Sequence, residues 1–428
     1  MPTGAGGPAT PSVAIVATLD TKEPQARYVA EVLRRQGVAP WIVDVGLARC
    51  AAGTVADATN GDVAAAAGTD LEAVRALTAR HQVMSTMGRG AAAVLARRLD
   101  AGGLQGVIAL GGNQGAAIAG MAMEQLPFGL PKVIVTTVAS GNVRPFVGCK
   151  DIFMLFSVAD LAGPVNRVTA PVLLNAALAV GAMAQGGGAL PRPERLAIGV
   201  TLLGNTQAAA DTAMARLAAA GYEPVAFHAS GACGSALEDL VEAGEIAGVL
   251  DLTPHDLGEE VMGDGAYVPV RPGRLTAAGR RGVPQVVSTG ALDYLCFVGA
   301  IPPKYLGRPA ALHNPVNPNV RLTGAELAVV GEVMAARLNS ARGPAAVFVP
   351  LRGWSVYGSR GGPLHDPDAD AALVRSLEAR LDPRVPLHHV DAHINDPEFA
   401  NTCVDALLAM LRRERAAATI GAHPGGLT

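Results

Sequence analysis

The chain has 428 residues, 50% of them hydrophobic and 17% charged, which excludes a disordered polypeptide and leaves room for two to three domains of about 150 residues each. A formal net charge of −3 gives no electrostatic case for a nucleic-acid partner. Five cysteines (Cys50, Cys149, Cys233, Cys296 and Cys403), odd in number and without a C-x-x-C pair, favour a reducing cytoplasm and no zinc site.

Residues 1–12, rich in Gly, Pro, Ala and Thr and lacking a basic start, read as a flexible leader. No apolar run of about 18 residues follows, so no membrane partner is expected. In SVAIVATLDTKEPQARYVAEVLRRQG (12–37) a β-branched strand passes through Thr18, Asp20, Thr21 and Lys22 into an amphipathic helix. Thr21 or Asp20 can cap that helix, with Pro24 tolerated in its first turn. WIVDV (41–45) makes the next strand, ending at Asp44. The Ala/Gly-rich stretch to about residue 68 predicts a mobile loop. Helical periodicity over 70–99 follows, with Gly88, Arg89 and Gly90 interrupting it.

QGVIALGGNQGAAIAG (105–120) reads as strand, glycine loop and helix. Gly111, Gly112 and Gly115 allow backbone conformations that other residues resist, and the N–H groups and positive dipole end of the helix start suit phosphate or carboxylate. The alternative is a tight turn whose glycines serve packing alone. The loop has neither the Lys-Ser/Thr ending of a P-loop nor the G-x-G-x-x-G spacing of a dinucleotide fold. A strand in KVIVTTVASG (132–141), the segment VGCKDIFMLFSVAD (147–160) and an alanine-rich helix over about 164–184 complete the first half.

Residues 187–196, in and around GGGALPRPER, read as a linker, after which the opening pattern returns. Residues 15–37 and 199–221 align without gaps at a shift of 184 (199 − 15), which sets Asp44 opposite His228 and replaces Asp20 and Lys22 by Gly204 and Thr206. Further segments follow at 224–240, 247–256 and 284–293, then a helix over 323–340, a strand over 346–350 and a helix over 397–413. Strands alternating with helices predict two tandem doubly wound α/β domains with mainly parallel sheets, at 13–186 and 197–413, and a flexible tail over 414–428.

Ligands of open parallel sheets bind beyond the carboxyl ends of the strands. In the first half those ends carry Thr18, Asp20, Thr21 and Lys22; Asp44; Gly111, Gly112, Asn113, Gln114 and Gly115; and Thr136, Thr137, Ser140 and Gly141. These are the parts of a phosphate site: Lys22 or Arg89 would neutralise the charge, and Asp20 or Asp44 would hold Mg2+ or a ribose hydroxyl. An ordinary helix cap is the competing role for Asp20 and Thr21. In the second half the ends carry His228, Ser230 and Gly231; Asp251, Thr253, His255 and Asp256; Ser288, Gly290 and Asp293; and His313, Asn314 and Arg321. The three histidines suit a metal or proton shuttling, but their spacing matches no metal motif. A His228–Cys233 nucleophile pair lacks a third member.

Through VAIVATLDTKEPQARYVAEVLRRQG, LGGNQG, LPFGLPKVIVTTVASGNV, VGCKDIFMLFSVAD and NAALAVGAMA, then FHASGACGSALEDL, RPGRLTAAGRRGVPQVVSTGALDY, HNP and HINDPEFA, the chain resembles the Tm-1-like ATP-binding family, which includes the bacterial UPF0261 group. The resemblance runs from about residue 13 to 413. It implies two Rossmann-like domains, a homodimer, and ATP bound in the N-terminal domain. By motif, Asp20, Thr21 and Lys22, the loop Gly111 to Gly115, and Thr137, Ala139, Ser140 and Gly141 are the segments it places at the nucleotide. The chain departs from the family pattern where Asn113, Gln114 and Ala116 replace the serine, second glycine and threonine of G-G-S-G-G-T. It departs again where DLTPHD (251–256) replaces D-x-T-T-T-E, and where Tyr357 stands near a usual acidic residue.

The expectation is a cytoplasmic Mg-ATP-dependent enzyme acting on a small carboxylated substrate. That substrate would face His228, His313 and Arg321 as catalytic groups, with Ser230, Gly231, Gly290, Asp293 and Asn314 binding it in a cleft between the two domains. The alternatives are a nucleotide-binding protein without turnover that acts by protein contact, and a divergent paralogue that binds a non-nucleotide ligand.

Overall fold

A computed structural model describes residues 10–48, 53–187 and 194–421. Cys50, most of the expected leader and linker, and the last residues of the expected tail lie outside the described residues. The chain divides into two compact units, Met1–Arg192 and Pro193–Thr428, each with its own sheet.

The first domain runs β1 (Ser12–Ala17), α1 (Leu19–Arg35), β2 (Ala39–Asp44), α2 (Asn60–Ala66), α3 (Leu71–Ala76), α4 (Arg80–Asp100), β3 (Gly106–Gly111), α5 (Asn113–Glu124), β4 (Lys132–Thr136), a short α6 (Arg144–Val147), β5 (Phe153–Phe156) and α7 (Thr169–Gly186). All five strands pair in parallel in the order β2-β1-β3-β4-β5. The period of two in a strand divides β1 between two cores. Val13, Ile15 and Ala17 pack with α1 and α7, whereas Ala14 and Val16 pack with α2, α4 and α5. By composition and length α7 is a candidate to cross a membrane, yet its Leu173, Ala176, Ala177 and Val180 are fully buried in the first of these cores.

Two sequence expectations change here. The stretch read as a loop to residue 68 contains α2, started by a capping box in which Thr59 and Asp62 satisfy one another's backbone N–H groups. The interruption expected at Gly88–Gly90 is absent, because α4 runs straight through it. These glycines serve close helix contact instead. A Cβ on Gly90 would lie 2.0 Å from the Val63 carbonyl oxygen of α2, and one on Gly88 would lie 3.0 Å from Met121 Cβ of α5.

The second domain runs β6 (Ala197–Leu202), α8 (Gln207–Ala219), β7 (Glu223–His228), α9 (Ala232–Glu242), β8 (Gly248–Asp251), α10 (His255–Met262), α11 (Ala277–Arg281), β9 (Gln285–Ser288), β10 (Tyr294–Cys296), β11 (Ala310–Asn314), β12 (Asn317–Arg321), α12 (Gly324–Asn339), β13 (Ala345–Pro350), α13 (Pro367–Arg380), β14 (Leu387–Val390) and α14 (Pro397–Gly421). Six parallel strands take the order β14-β13-β9-β8-β6-β7, which repeats the winding of the first sheet with one strand added. The internal repeat holds in detail: β7 lies 184 positions beyond β2 (223 − 39), and Asp44 and His228 end these equivalent strands. Between β9 and α12 sits an antiparallel sheet, β10-β12-β11, that the strand–helix alternation does not predict. The last helix also continues past 413, so the expected tail is helical as far as Gly421.

Gly90→Val is expected to lower stability by about 3 kcal/mol through overpacking of α2 against α4. Urea unfolding followed by circular dichroism measures it, and a loss below about 0.5 kcal/mol contradicts the packing role.

Candidate functional site

The order β2-β1-β3 sends the connections after β1 and β3 to opposite faces of the sheet, and a cavity of about 480 Å³ opens where they part. Thr18, Asp20, Thr21 and Lys22 line it from the start of α1, and Gly112, Asn113, Gln114 and Gly115 from the start of α5. Val83, Met84 and Met87 of α4 and Ile118 of α5 supply an apolar wall, and Asp160 stands at its edge. Neither N-cap residue, Thr18 or Gly112, caps its helix with its own side chain; Asp44 takes the Leu19 N–H of α1, and the dipole ends of both helices face the same space. None of Gly111, Gly112 and Gly115 adopts the positive φ expected of the loop. Proximity is the constraint: a Cβ on Gly111 would lie 2.9 Å from Gly115 Cα.

Thr18 and Thr21 share a 3.0 Å hydroxyl contact. Among the described residues, Lys22 forms no ion pair. Asp44 lies beneath the cavity and not on its wall: it is 3% exposed, and its Oδ1 accepts the N–H of Leu19 at 3.0 Å and of Gly46 at 2.8 Å. Asp20 accepts Ala48 N–H through Oδ2 at 3.0 Å. Arg89 is exposed, and its guanidinium donates to Thr86 Oγ1 at 3.3 Å, away from the lining. Thr137 abuts Gly112 at 3.8 Å from its Cβ position, and Ala139, Ser140 and Gly141 form the next turn outside the lining.

In the second domain a cavity of about 140 Å³ lies beyond β6 and β7, roofed by the antiparallel sheet. Leu203, Gly204, Asn205 and His228 form its floor, and Tyr294, Cys296, His313, Asn317 and Asn319 come from the roof. Tyr267 and Tyr357 close its sides. His313 Nδ1 meets the Tyr357 hydroxyl at 3.0 Å, and Asn205 Nδ2 donates to the Tyr294 hydroxyl at 2.6 Å. Burial at the wall, then the neighbouring His255, holds His228 below the usual imidazole pKa. Behind the wall, His255 is fully buried between Ala291 O, 2.6 Å from Nδ1, and Glu259 Oε1, 3.1 Å from Nε2. Burial lowers its pKa, but Cys296 and Glu259 outweigh that and hold it well above the usual value.

His228 and His313 therefore share a cavity that the other second-half candidates do not line. Arg321, 3% exposed, donates to Asp293 O at 2.8 Å and to Asp366 O at 2.9 Å, and pairs with Asp370. Asp293 is buried and accepts Ser355 Oγ–H at 2.7 Å, and Gly290 is buried beside Leu252. Ser230 donates to His228 O at 3.3 Å, and Gly231 is the N-cap residue of α9. Asn314 is the exposed last residue of β11, and its Oδ1 accepts Val316 N–H at 3.0 Å. The sequence reading passed over Tyr267, Tyr294 and Cys296 as site residues. The H-x-x-x-E spacing of His255 and Glu259, which sets both on one helix face, was the available signal.

Two tandem doubly wound α/β domains, each with a polar cavity at the carboxyl ends of its first strands, define the class as a Rossmann-like tandem protein. The chain belongs to the UPF0261 family. Residues 11–188 match "Uncharacterised protein family (UPF0261) N-terminal domain", and residues 195–411 match the C-terminal domain of the same family. A UPF0261 protein of Clostridium tetani is 35% identical over 94% of this chain and 99% of its own length. UPF0261 protein RA0729 of Rhizobium meliloti is 37% identical over 92% and 97%. The ToMV resistance protein Tm-1(GCR237) of Solanum lycopersicum is 35% identical over 74% of this chain and 43% of its own length.

Burial pushes the Asp370 carboxyl up to about 7, against the pull of Arg321. The unfolded value is about 3.9, so between about pH 4 and 7 the folded chain keeps a proton that the unfolded chain releases, and stability falls as pH rises through that window. Asp370→Asn is expected to flatten this slope by up to about 1.4 kcal/mol per pH unit. Thermal unfolding across the window measures it, and an unchanged slope contradicts the assignment.

Proposed function

We propose that this chain binds ATP in its first domain, with the phosphates against the starts of α1 and α5. The observation that carries this reading is the convergence, on one cavity at the switch point of the sheet, of two helix N-termini and of Lys22, which has no ion pair among the described residues. Its volume of about 480 Å³ and its apolar wall suit a nucleotide-sized ligand. Lys22 would neutralise phosphate charge, and Thr18 and Thr21 would offer hydroxyls. The residues present fit Mg2+ sparingly. Asp20 commits one oxygen to Ala48, so its other oxygen and Asp160 are the lining carboxylates left for a cation bridging the phosphates.

The fuller reading is an ATP-dependent enzyme that activates a small carboxylated substrate. Positioning and charge neutralisation would supply most of the catalysis, and His228 and His313 would be the groups that meet the substrate. The same reading takes the protein as cytoplasmic and, by family likeness, as a homodimer. A second reading is nucleotide binding without turnover, acting through protein contact. Two observations favour it: Arg321 is committed to Asp370 and the Asp293 carbonyl, and the α5 loop carries no hydroxyl. The tomato relative, named a resistance protein, fits it too.

Lys22→Ala is expected to weaken ATP binding about tenfold or more, the loss of one charge-assisted contact worth roughly 1.5 to 3 kcal/mol. Calorimetric titration with Mg-ATP measures it, and an unchanged dissociation constant contradicts the assignment. His228→Ala separates the two readings, since it abolishes ATP consumption in the first and leaves nucleotide affinity intact in both.

A further inference from the structure

We infer that His255, Glu259 and Cys296 form a metal site of the zinc-binding class, with an open coordination position toward the cavity of the second domain. His255 and Glu259 stand four residues apart on α10 and so share one face, and Cys296 ends β10 opposite them. All three are buried, and their donor atoms lie within 4.8 Å of one another. Donors held by one zinc ion at 2.0 to 2.3 Å sit roughly 3 to 4 Å apart, and His255 Nε2 is already 3.1 Å from Glu259 Oε1.

The hydrogen bonds aim the donors at a common point. Ala291 O can only accept, so His255 Nδ1, 2.6 Å away, carries a proton, and Nε2, 3.1 Å from Glu259 Oε1, is the nitrogen a metal ion would take by displacing the proton it holds there. Glu259 is held in place by two backbone donors, Oε1 accepting Cys296 N–H at 2.7 Å and Oε2 accepting Tyr267 N–H. Room for that carboxylate depends on Gly265, at φ +121°, where a Cβ would lie 2.2 Å from the Glu259 carboxyl carbon. An imidazole nitrogen, a carboxylate and a sulfur facing one another in a buried space need a positive charge among them, from a proton or from a metal ion. A proton joins two of these donors, whereas a metal ion joins all three.

Sulfur, imidazole and carboxylate together select zinc over the hard cations magnesium and calcium. Three protein ligands leave a fourth position, and Cys296 itself lies on the cavity wall with His228, His313 and Tyr357, so a water or a small ligand can reach it. Asn319, whose side-chain oxygen lies 3.0 Å from Cys296 Sγ, would turn its amide to donate to the metal-bound thiolate. The expectation of no zinc site rested on paired cysteines, which a site using a single cysteine does not need. This inference is independent of the nucleotide reading.

The test is titration of the chelator-treated full-length protein with Co(II), followed by displacement with Zn(II). The expected result is one equivalent bound, with a thiolate-to-cobalt charge-transfer band and tetrahedral visible bands, both removed by zinc and absent from Cys296→Ser. His255→Gln is expected to weaken Co(II) binding by at least about 100-fold, and Asn319→Ala by about 10-fold. The absence of a charge-transfer band at one equivalent in the wild-type protein overturns the inference, as does a band that survives in Cys296→Ser. Where a variant fails to fold, alkylation of Cys296 in the wild-type chain decides: protection by one equivalent of Zn(II) supports the site, and an unchanged rate overturns it.

Discussion

An open parallel sheet brings all its strand ends to one edge, and the order in which strands are added decides where along that edge a crevice opens. In the first domain α1 packs on one face and α4 and α5 on the other, so the connections after β1 and β3 diverge. That divergence makes neighbours of Thr18 and Gly112, 94 positions apart in the chain (112 − 18). The same polarity aims the positive ends of both helices at one space, so the electrostatics of the site follow from topology before any charged side chain is counted.

The second domain repeats the winding but loads the strand ends differently. Its largest fully buried side chain among the described residues is Arg274, 1% exposed, which donates to Glu238 at 2.7 Å, Asp251 at 2.7 Å and Asp256 at 2.9 Å. Burial raises the pKa of Asp256 and Glu238, and Arg274 opposes that rise in both. Two pairs spaced four apart give α10 its orientation. Asp256 and Glu260 hold Arg274 and Arg337, and His255 and Glu259 thereby turn toward Cys296. The strand-end carboxylates Asp251 and Asp256, which the sequence offers as site candidates, thus serve to position the helix. Removing Arg274 would leave several buried carboxylates without their counter-charge, a far larger loss than that of any surface pair.

Local periodicity made much of this legible. The β1–α1–β2 unit and its copy 184 residues on could be read because each pattern is complete within some 25 residues, and the strand ends they predict are those that line both cavities. Where the sequence misled, the deciding contact lay elsewhere in the chain. Gly90 looks like a helix break until Val63 of α2 is seen against it. Arg321 looks like an exposed strand-end cation until Asp370, 49 positions on, is found paired with it. The antiparallel sheet escaped notice because β10 has only three residues and much of β11 is exposed, so neither carries a strong strand signal. Likewise, nothing near Cys296 in the sequence announces that α10 faces it.

The central claim is that nucleotide is held at the starts of α1 and α5. Hydrogen exchange of the full-length protein, with and without Mg-ATP, tests it most directly, because it reads the first-turn amides themselves. Slowed exchange concentrated at residues 18–23 and 112–117 is the expected result. Protection confined to the second domain, or none at saturating ATP, would contradict it.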